Sequence, residues 1–175
     1  MKMRIIISIL AIGTSLAHAS SLLILPDGSM DRMPERGIQI YEPPATKGQA
    51  SVSISTDTPA RGTGSLKVEC DGDVYVSISF PLSTAQNAGR VRVYLRGDVA
   101  DAEEITIGVQ SFTMAGGFQS VSFVPVIDAR THIDTEWRHF TFDLNRHDAA
   151  THWQLSFILK GPGVLWIDHL EEVTD

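Results

Sequence analysis

The segment Arg90-Val-Arg-Val-Tyr-Leu-Arg96 sets Arg92, Tyr94 and Arg96 two residues apart. In an extended strand that spacing puts all three on one face, because successive side chains alternate. The opposite face, Val91, Val93 and Leu95, is apolar and must be buried. A one-residue slip would bury the arginines, so their outward orientation is strongly specified. Guanidinium forks give bidentate bonds to carboxylates and hydroxyls, and an aromatic ring packs on the apolar face of a sugar. Together these residues suit a glycan, acidic glycans above all, with binding that weakens in salt. Tyr75, Gln110 and His139 occupy the polar faces of their own segments. If the strands lie side by side, Tyr75, Arg92, Tyr94, Arg96, Gln110 and His139 form one ligand patch. Trp166 joins it if its side chain points outward, whereas Trp137 and Trp153 are read as core. The alternative is a solvated strand face with no ligand.

Other chemistry is weakly encoded. His139, His147, His152 and His169 lie in the C-terminal half with Asp143 and Asp148 between them, but at no tight two-ligand spacing. Glycosidic cleavage needs two carboxylates a few ångström apart. Glu103 and Glu104 are adjacent, so a strand would turn them to opposite faces, and Glu171 and Glu172 lie at the chain end. Asp134, Glu136 and Asp143 repeat no paired motif, and there is no Gly-x-Ser-x-Gly elbow or phosphate-binding glycine loop. Cys70 falls on the apolar face of its segment, which reads as a buried, inert thiol.

The elements that must position these residues are strands. Val74, Val76, Ile78 and Phe80 alternate with Tyr75, Ser77 and Ser79. Ile105, Ile107 and Val109 alternate with Thr106, Gly108 and Gln110 within 104–112. Segments 138–144 and 152–160 bury Phe140, Phe142 and Leu144, and Trp153, Leu155, Phe157 and Leu159. Further strands are expected at 21–25, 51–55, 65–70, 120–127 and 164–171. Asp71-Gly72, Gly97-Asp98, Gly116-Gly117 and Gly161-Pro162-Gly163 punctuate them. Residues 26–47, with Pro34, Pro43 and Pro44, read as an irregular crossing, and no segment carries a helical stripe. About ten short strands with one apolar face each predict an all-β, single antiparallel sandwich of jelly-roll type.

The chain has 175 residues, 43% hydrophobic and 20% charged, with a formal charge of −7 from 14 basic and 21 acidic residues. That is a globular composition, and its acidity argues against a general grip on nucleic acid. The aromatic content, 7%, is low for a dedicated glycan binder. A single cysteine allows no internal disulfide. Lys2 and Arg4, an apolar run over 5–17 and Ala17-His18-Ala19 make residues 1–19 a signal peptide, with maturation at Ser20. The apolar run is shorter than the ~20 residues of a membrane span. Residues 20–175 are then one periplasmic or secreted domain, and cleavage of Lys2 and Arg4 takes the charge to −9.

Four ordered motifs carry a family resemblance. Gly64-Ser-Leu-Lys-Val-Glu69 opens a strand, and Gly89-Arg-Val-Arg-Val-Tyr-Leu-Arg-Gly97 is a long amphipathic one. Thr135-Glu-Trp-Arg-His-Phe-Thr-Phe142 places a Trp before a strand, and Val164-Leu-Trp-Ile-Asp-His-Leu170 closes the chain. In order and spacing, from Leu22 to Glu171, the chain resembles the jelly-roll carbohydrate-binding modules of secreted glycoside hydrolases, the galactose-binding-domain-like group. It departs from them at His169, where the terminal motif has a second Asp. The resemblance implies that Asp168 helps bind a structural calcium, with carbonyls of the Arg61–Gly64 loop and Asp27, Asp31 or Glu42 as companions. It also implies an exported, non-catalytic domain that binds a glycan or polysaccharide on a sheet face or loop rim, with no nucleic acid and no membrane span. The alternatives are an envelope protein that binds another protein or itself, and a small polysaccharide hydrolase or lyase.

Overall fold

The computed structural model describes residues 22–23, 29–33, 39–45, 49–114, 119–128 and 133–173. The expected signal peptide, Ser20, Asp27 and the Gly116-Gly117 turn lie outside them. Ten strands follow one another among these residues: β1 (Gln39–Tyr41), β2 (Ala50–Ser55), β3 (Ser65–Cys70), β4 (Tyr75–Pro81), β5 (Ala88–Asp98), β6 (Glu104–Thr113), β7 (Gln119–Asp128), β8 (Arg138–Asn145), β9 (His152–Lys160) and β10 (Gly163–Glu172). They form two five-stranded sheets, ordered β1-β4-β9-β6-β7 and β2-β3-β10-β5-β8. Every pairing between them is antiparallel. The fold is an all-β sandwich, as the alternation requires.

The core lies between the sheets. Val76, Ile78 and Phe80 of β4 and Leu155, Phe157 and Leu159 of β9 meet Leu66, Val68, Val91, Val93, Leu95, Leu165 and Ile167 from the other sheet. Phe80 and Phe157 pack edge to face at 5.5 Å, which suits their ring quadrupoles. Trp153 is core as expected and donates its indole N–H to the Ser83 carbonyl at 2.8 Å. Cys70 is buried, and burial pushes its thiol up to about 11, so it stays protonated.

Three expectations are corrected. Residues 26–47 contain a strand: β1 pairs with β4 through Gln39–Ser79, Ile40–Ile78 and Tyr41–Ser77. Three residues between prolines are too few to show a period in sequence. Of the expected strand over 21–25, Leu22 and Leu23 are described, and Leu23 makes an isolated bridge to Leu82. Trp137 is not core but lies partly exposed against the outside of the second sheet. Its indole N–H reaches the Thr58 carbonyl at 2.7 Å and its ring stacks on Arg96 at 5.1 Å.

Candidate functional site

The six residues expected to form one patch divide between two faces. Arg92, Tyr94, Arg96 and His139 come together on the outside of β2-β3-β10-β5-β8, where Tyr94 pairs with His139 across β5 and β8. Tyr75 and Gln110 lie on the outside of β1-β4-β9-β6-β7. The strands carrying the two groups are separated by the whole core.

The arginine face is engaged within the molecule. Arg96 is stacked between Trp166, 4.5 Å from its guanidinium, and Trp137. It donates to Thr58 Oγ1 at 2.7 Å and to the Asp57 carbonyl at 2.8 Å. Arg92 bonds Glu171 at 3.2 Å, Arg90 bonds Asp143 at 2.7 Å, and Arg61 stacks on Tyr94 while donating to its hydroxyl. Trp166 does point outward, between Lys67 and Arg96. The partners at 57–61 belong to the loop joining β2 to β3, which folds back over its own sheet as a strap. Thr58, at φ 44°, and Gly62, at φ 66°, turn it through the left-handed region.

Two carboxylates fasten the strap. Asp31 accepts the Thr63 and Gly64 N–H groups, and these bonds hold its carboxyl below the usual range despite some desolvation. Asp168 accepts the Arg61 N–H on Oδ2 at 2.9 Å, but it is wholly buried and burial pushes its carboxyl up. A bulge between Asp168 and Glu171, with His169 at φ 47°, brings Asp168 under the strap. Asp168 Oδ1 and Ser65 Oγ are both buried there without a hydrogen-bond partner. Ser65 and Asp168 are the next residues beyond the Leu66–Ile167 pair, on the same face. Among the described residues no group of three or more His, Cys, Asp or Glu side chains could hold a metal ion.

The opposite face is a recess. Across its strands runs a row of small residues, Ser79, Ser156 and Gly108, set in register through β4, β9 and β6. On one side of the row stand Tyr41, Ser77, Ile158 and Thr106, and on the other Pro81, Gln154 and Gln110. Ser77, Ser79, Gln154 and Ser156 are buried although they point away from the core, so they form the floor of a groove. The floor is tied together: Ser79 and Ser156 hydroxyls meet at 2.9 Å, and Gln154 donates to Gln110 Oε1 at 3.0 Å. Tyr41, 58% exposed, meets Tyr75 edge to face at 6.3 Å and makes one wall. Burial pushes the Tyr75 phenol up, so it remains a donor. Phe123 of β7 makes the other wall. The described floor side chains are hydroxyls, carboxamides, one isoleucine and one proline, while the charges lie at one end with Lys160 and Glu104. Such a surface offers donors and acceptors in a plane between aromatic rings, with no strong field.

No family model and no curated protein matches the chain. Solved structures do. A xylan-binding domain, CBM22-1 of Xyn10C from Paenibacillus barcinonensis, superposes with TM-score 0.58 at 13% identity, over 90% of this chain and 99% of that one. The chain shares its β-sandwich fold with carbohydrate-binding modules. TmCBM61 in complex with β-1,4-galactotriose is similar over 90% of this chain and all of that one, at 12% identity and TM-score 0.52. The enzymatically active domain of tailspike protein 4 of bacteriophage CBA120 is also similar, at 7% identity and TM-score 0.61, with 87% of this chain matching 22% of that one.

Tyr41, Phe123, Ser79, Gln154 and Ser156 were not legible as site residues. The available signal was Ser77 and Ser79, small polar residues midway along the wet face of a central strand.

Proposed function

We propose that this chain is an exported, non-catalytic module that holds an uncharged, extended polysaccharide in the groove of the β1-β4-β9-β6-β7 sheet. The observation that carries the reading is the floor of buried serines and glutamines between two aromatic walls. Five strands about 4.8 Å apart set the two aromatic walls about 19 Å apart, room for several sugar rings between them. Hydroxyls and carboxamides match sugar hydroxyls, and the aromatic walls match the C–H faces of the rings. The xylan-binding and galactotriose-bound neighbours share the fold and support the ligand class. The lack of paired carboxylates among the described floor residues supports binding without cleavage. Affinity electrophoresis in soluble xylan or β-1,4-galactan tests the reading. Retardation is expected, and mobility unchanged in both gels would contradict it.

Export rests on Lys2, Arg4, the apolar run and Ala17-His18-Ala19. Among the described residues no helix is long and apolar enough to cross a membrane. N-terminal sequencing of the mature protein should begin at Ser20, and retention of residues 1–19 would contradict it.

A structural calcium fits one feature of the strap: Asp168 Oδ1 and Ser65 Oγ are buried hard oxygens with unmet bonding capacity. Calcium would take these two together with backbone carbonyls, since Asp31 and Asp168 Oδ2 are occupied by N–H groups. Its charge would offset the burial of Asp168. At hundredfold excess over Kd it would add about 2.7 kcal/mol of stability. Identical melting curves in calcium and in chelator would remove it.

A further inference from the structure

The Phe123 wall of the groove rests on a residue that has no side chain. Gly108 faces outward at the centre of β6, next to Ser156 of β9. A Cβ built on it would stand 2.5 Å from Phe123 Cζ and 2.7 Å from Cε2, so the ring lies directly over the Gly108 backbone. Phe123 does not pair with Gly108 in the ladder. Its register partner is Gln110, and Gly108 pairs with Pro125. The ring therefore crosses diagonally to reach the small-residue row. Register shifts between Ile107 and Gly108 and between Ser111 and Phe112 accompany this lean. Bulges bend a strand and increase its local twist. Phe123 keeps 36% of its surface exposed, so the ring is supported below and open above.

We propose that Gly108 and Phe123 act as a positioning pair: the missing Cβ at 108 lets the Phe123 ring lie low enough to serve as an apolar platform for a sugar ring at the β7 end of the groove. This rests on the reading of the groove as a glycan site. The Tyr41–Tyr75 pair is the counterpart at the other end, across β9 and β6. A side chain at 108 lifts the ring above the Ser79–Ser156 floor, so one ligand can no longer stack on Phe123 and bond the floor together. Gly108 touches no ligand and acts through Phe123.

The test compares wild type with Gly108→Ala, Phe123→Ala and Tyr41→Ala, titrated calorimetrically with soluble xylan and with β-1,4-galactotriose. Phe123→Ala should lose about tenfold in affinity, the scale of one aromatic contact with its buried area. Gly108→Ala should lose about fivefold or more while the ring itself is retained. Phe123→Ala should melt close to wild type, since Phe123 is exposed, whereas Gly108→Ala should melt lower, since its Cβ would also stand 3.0 Å from the Val124 carbonyl. If Tyr41→Ala weakens binding but Phe123→Ala and Gly108→Ala bind like wild type, the positioning pair is overturned and the glycan groove stands. If wild type binds neither probe, the glycan reading falls. A ligand-free readout covers a Gly108→Ala protein that fails to fold. The Gly108 Hα resonances should be shifted upfield by the ring current of Phe123, and Phe123→Leu should abolish the shift. Unshifted Hα resonances in wild type would overturn the seating of the ring.

Discussion

The two outer faces of this sandwich are built from the same alternation and do opposite things. On the β2-β3-β10-β5-β8 face the outward side chains are long and charged, and each guanidinium has an internal partner. Arg96 lies between two tryptophans and bonds the strap, Arg92 bonds Glu171, and Arg61 covers Tyr94. On the β1-β4-β9-β6-β7 face the outward residues at the centre, Ser79, Ser156 and Gly108, are short and neutral, and they leave a recess. Long charged groups reach sideways to neighbouring strands and fill their own surface. Short polar groups bond only to their immediate neighbours, Ser79 with Ser156 and Gln154 with Gln110, and do not reach up to cover the surface above them. A basic strand face in an acidic protein therefore marks internal fastening here, and the serine-rich face is the one proposed to take a ligand.

The strongest way to break this contrast is to remove the groove's walls. The double change Tyr41→Ala with Phe123→Ala should cost about 1.4 kcal/mol per platform, about hundredfold in affinity for soluble xylan. The double change Arg92→Ala with Arg96→Ala should leave that affinity unchanged. Calorimetric titration decides it, and a loss confined to the arginine variant would reverse the assignment of the two faces.

Stability should answer in the opposite sense. Arg96→Ala removes two cation–π contacts and two hydrogen bonds to the strap. About 2 kcal/mol should be lost, lowering Tm by roughly 4–8 °C. Gln110→Ala in the groove should move Tm much less. Equal melting of wild type and Arg96→Ala would show that the strap is not held from below.

How legible this was from sequence depends on side-chain length and on the regularity of the ladder. β8, β9 and β10 follow the expected segments to within a residue at each end, and β5 covers its expected segment and runs on through the Gly97-Asp98 pair expected as a turn, because Val91, Val93, Leu95 and Phe157 sit in unbroken alternation. β1 was hidden by its length, whereas β7 follows the expected 120–127 segment to within a residue although register shifts interrupt its pairing with β6. The arginines were rightly placed outward, but their partners, Thr58 and Trp137, lie far from them in sequence. No local pattern records that the strap folds back over them. Which strands share a sheet is likewise a long-range property, and it decided that Tyr75 and Gln110 part company with Arg92 and Tyr94.

The two carboxylates that fasten the strap should respond oppositely to acid. Burial raises the Asp168 carboxyl above 3.8, so its contribution to stability is greatest below the unfolded value and is lost as pH rises through the folded one. Hydrogen bonds lower the Asp31 carboxyl, so its contribution is present above 3.8 and lost as pH falls through its folded value. In chelator, Asp168→Asn should therefore melt no lower than wild type at pH 7, and the balance should shift toward wild type as pH falls below about 4. Asp31→Asn should be destabilised at pH 7, with the deficit closing in acid. Matching pH profiles for the two variants would contradict the difference in burial.

The smallest expected effect is that of salt. A neutral groove predicts a change in xylan affinity of less than about twofold between about 0.1 M and 1 M salt, over which the Debye length falls from about 10 Å to 3 Å. A steep loss would favour the arginine face.

The most direct measurement is amide chemical-shift mapping of the protein titrated with a soluble xylan oligosaccharide. Perturbations should centre on Ser79, Ser156, Gly108 and Gln110 and extend to Tyr41 and Phe123, with Arg92, Tyr94 and Arg96 unmoved. Perturbations centred on Arg92, Tyr94 and Arg96, with the serine floor silent, would contradict the placement of the ligand in the groove.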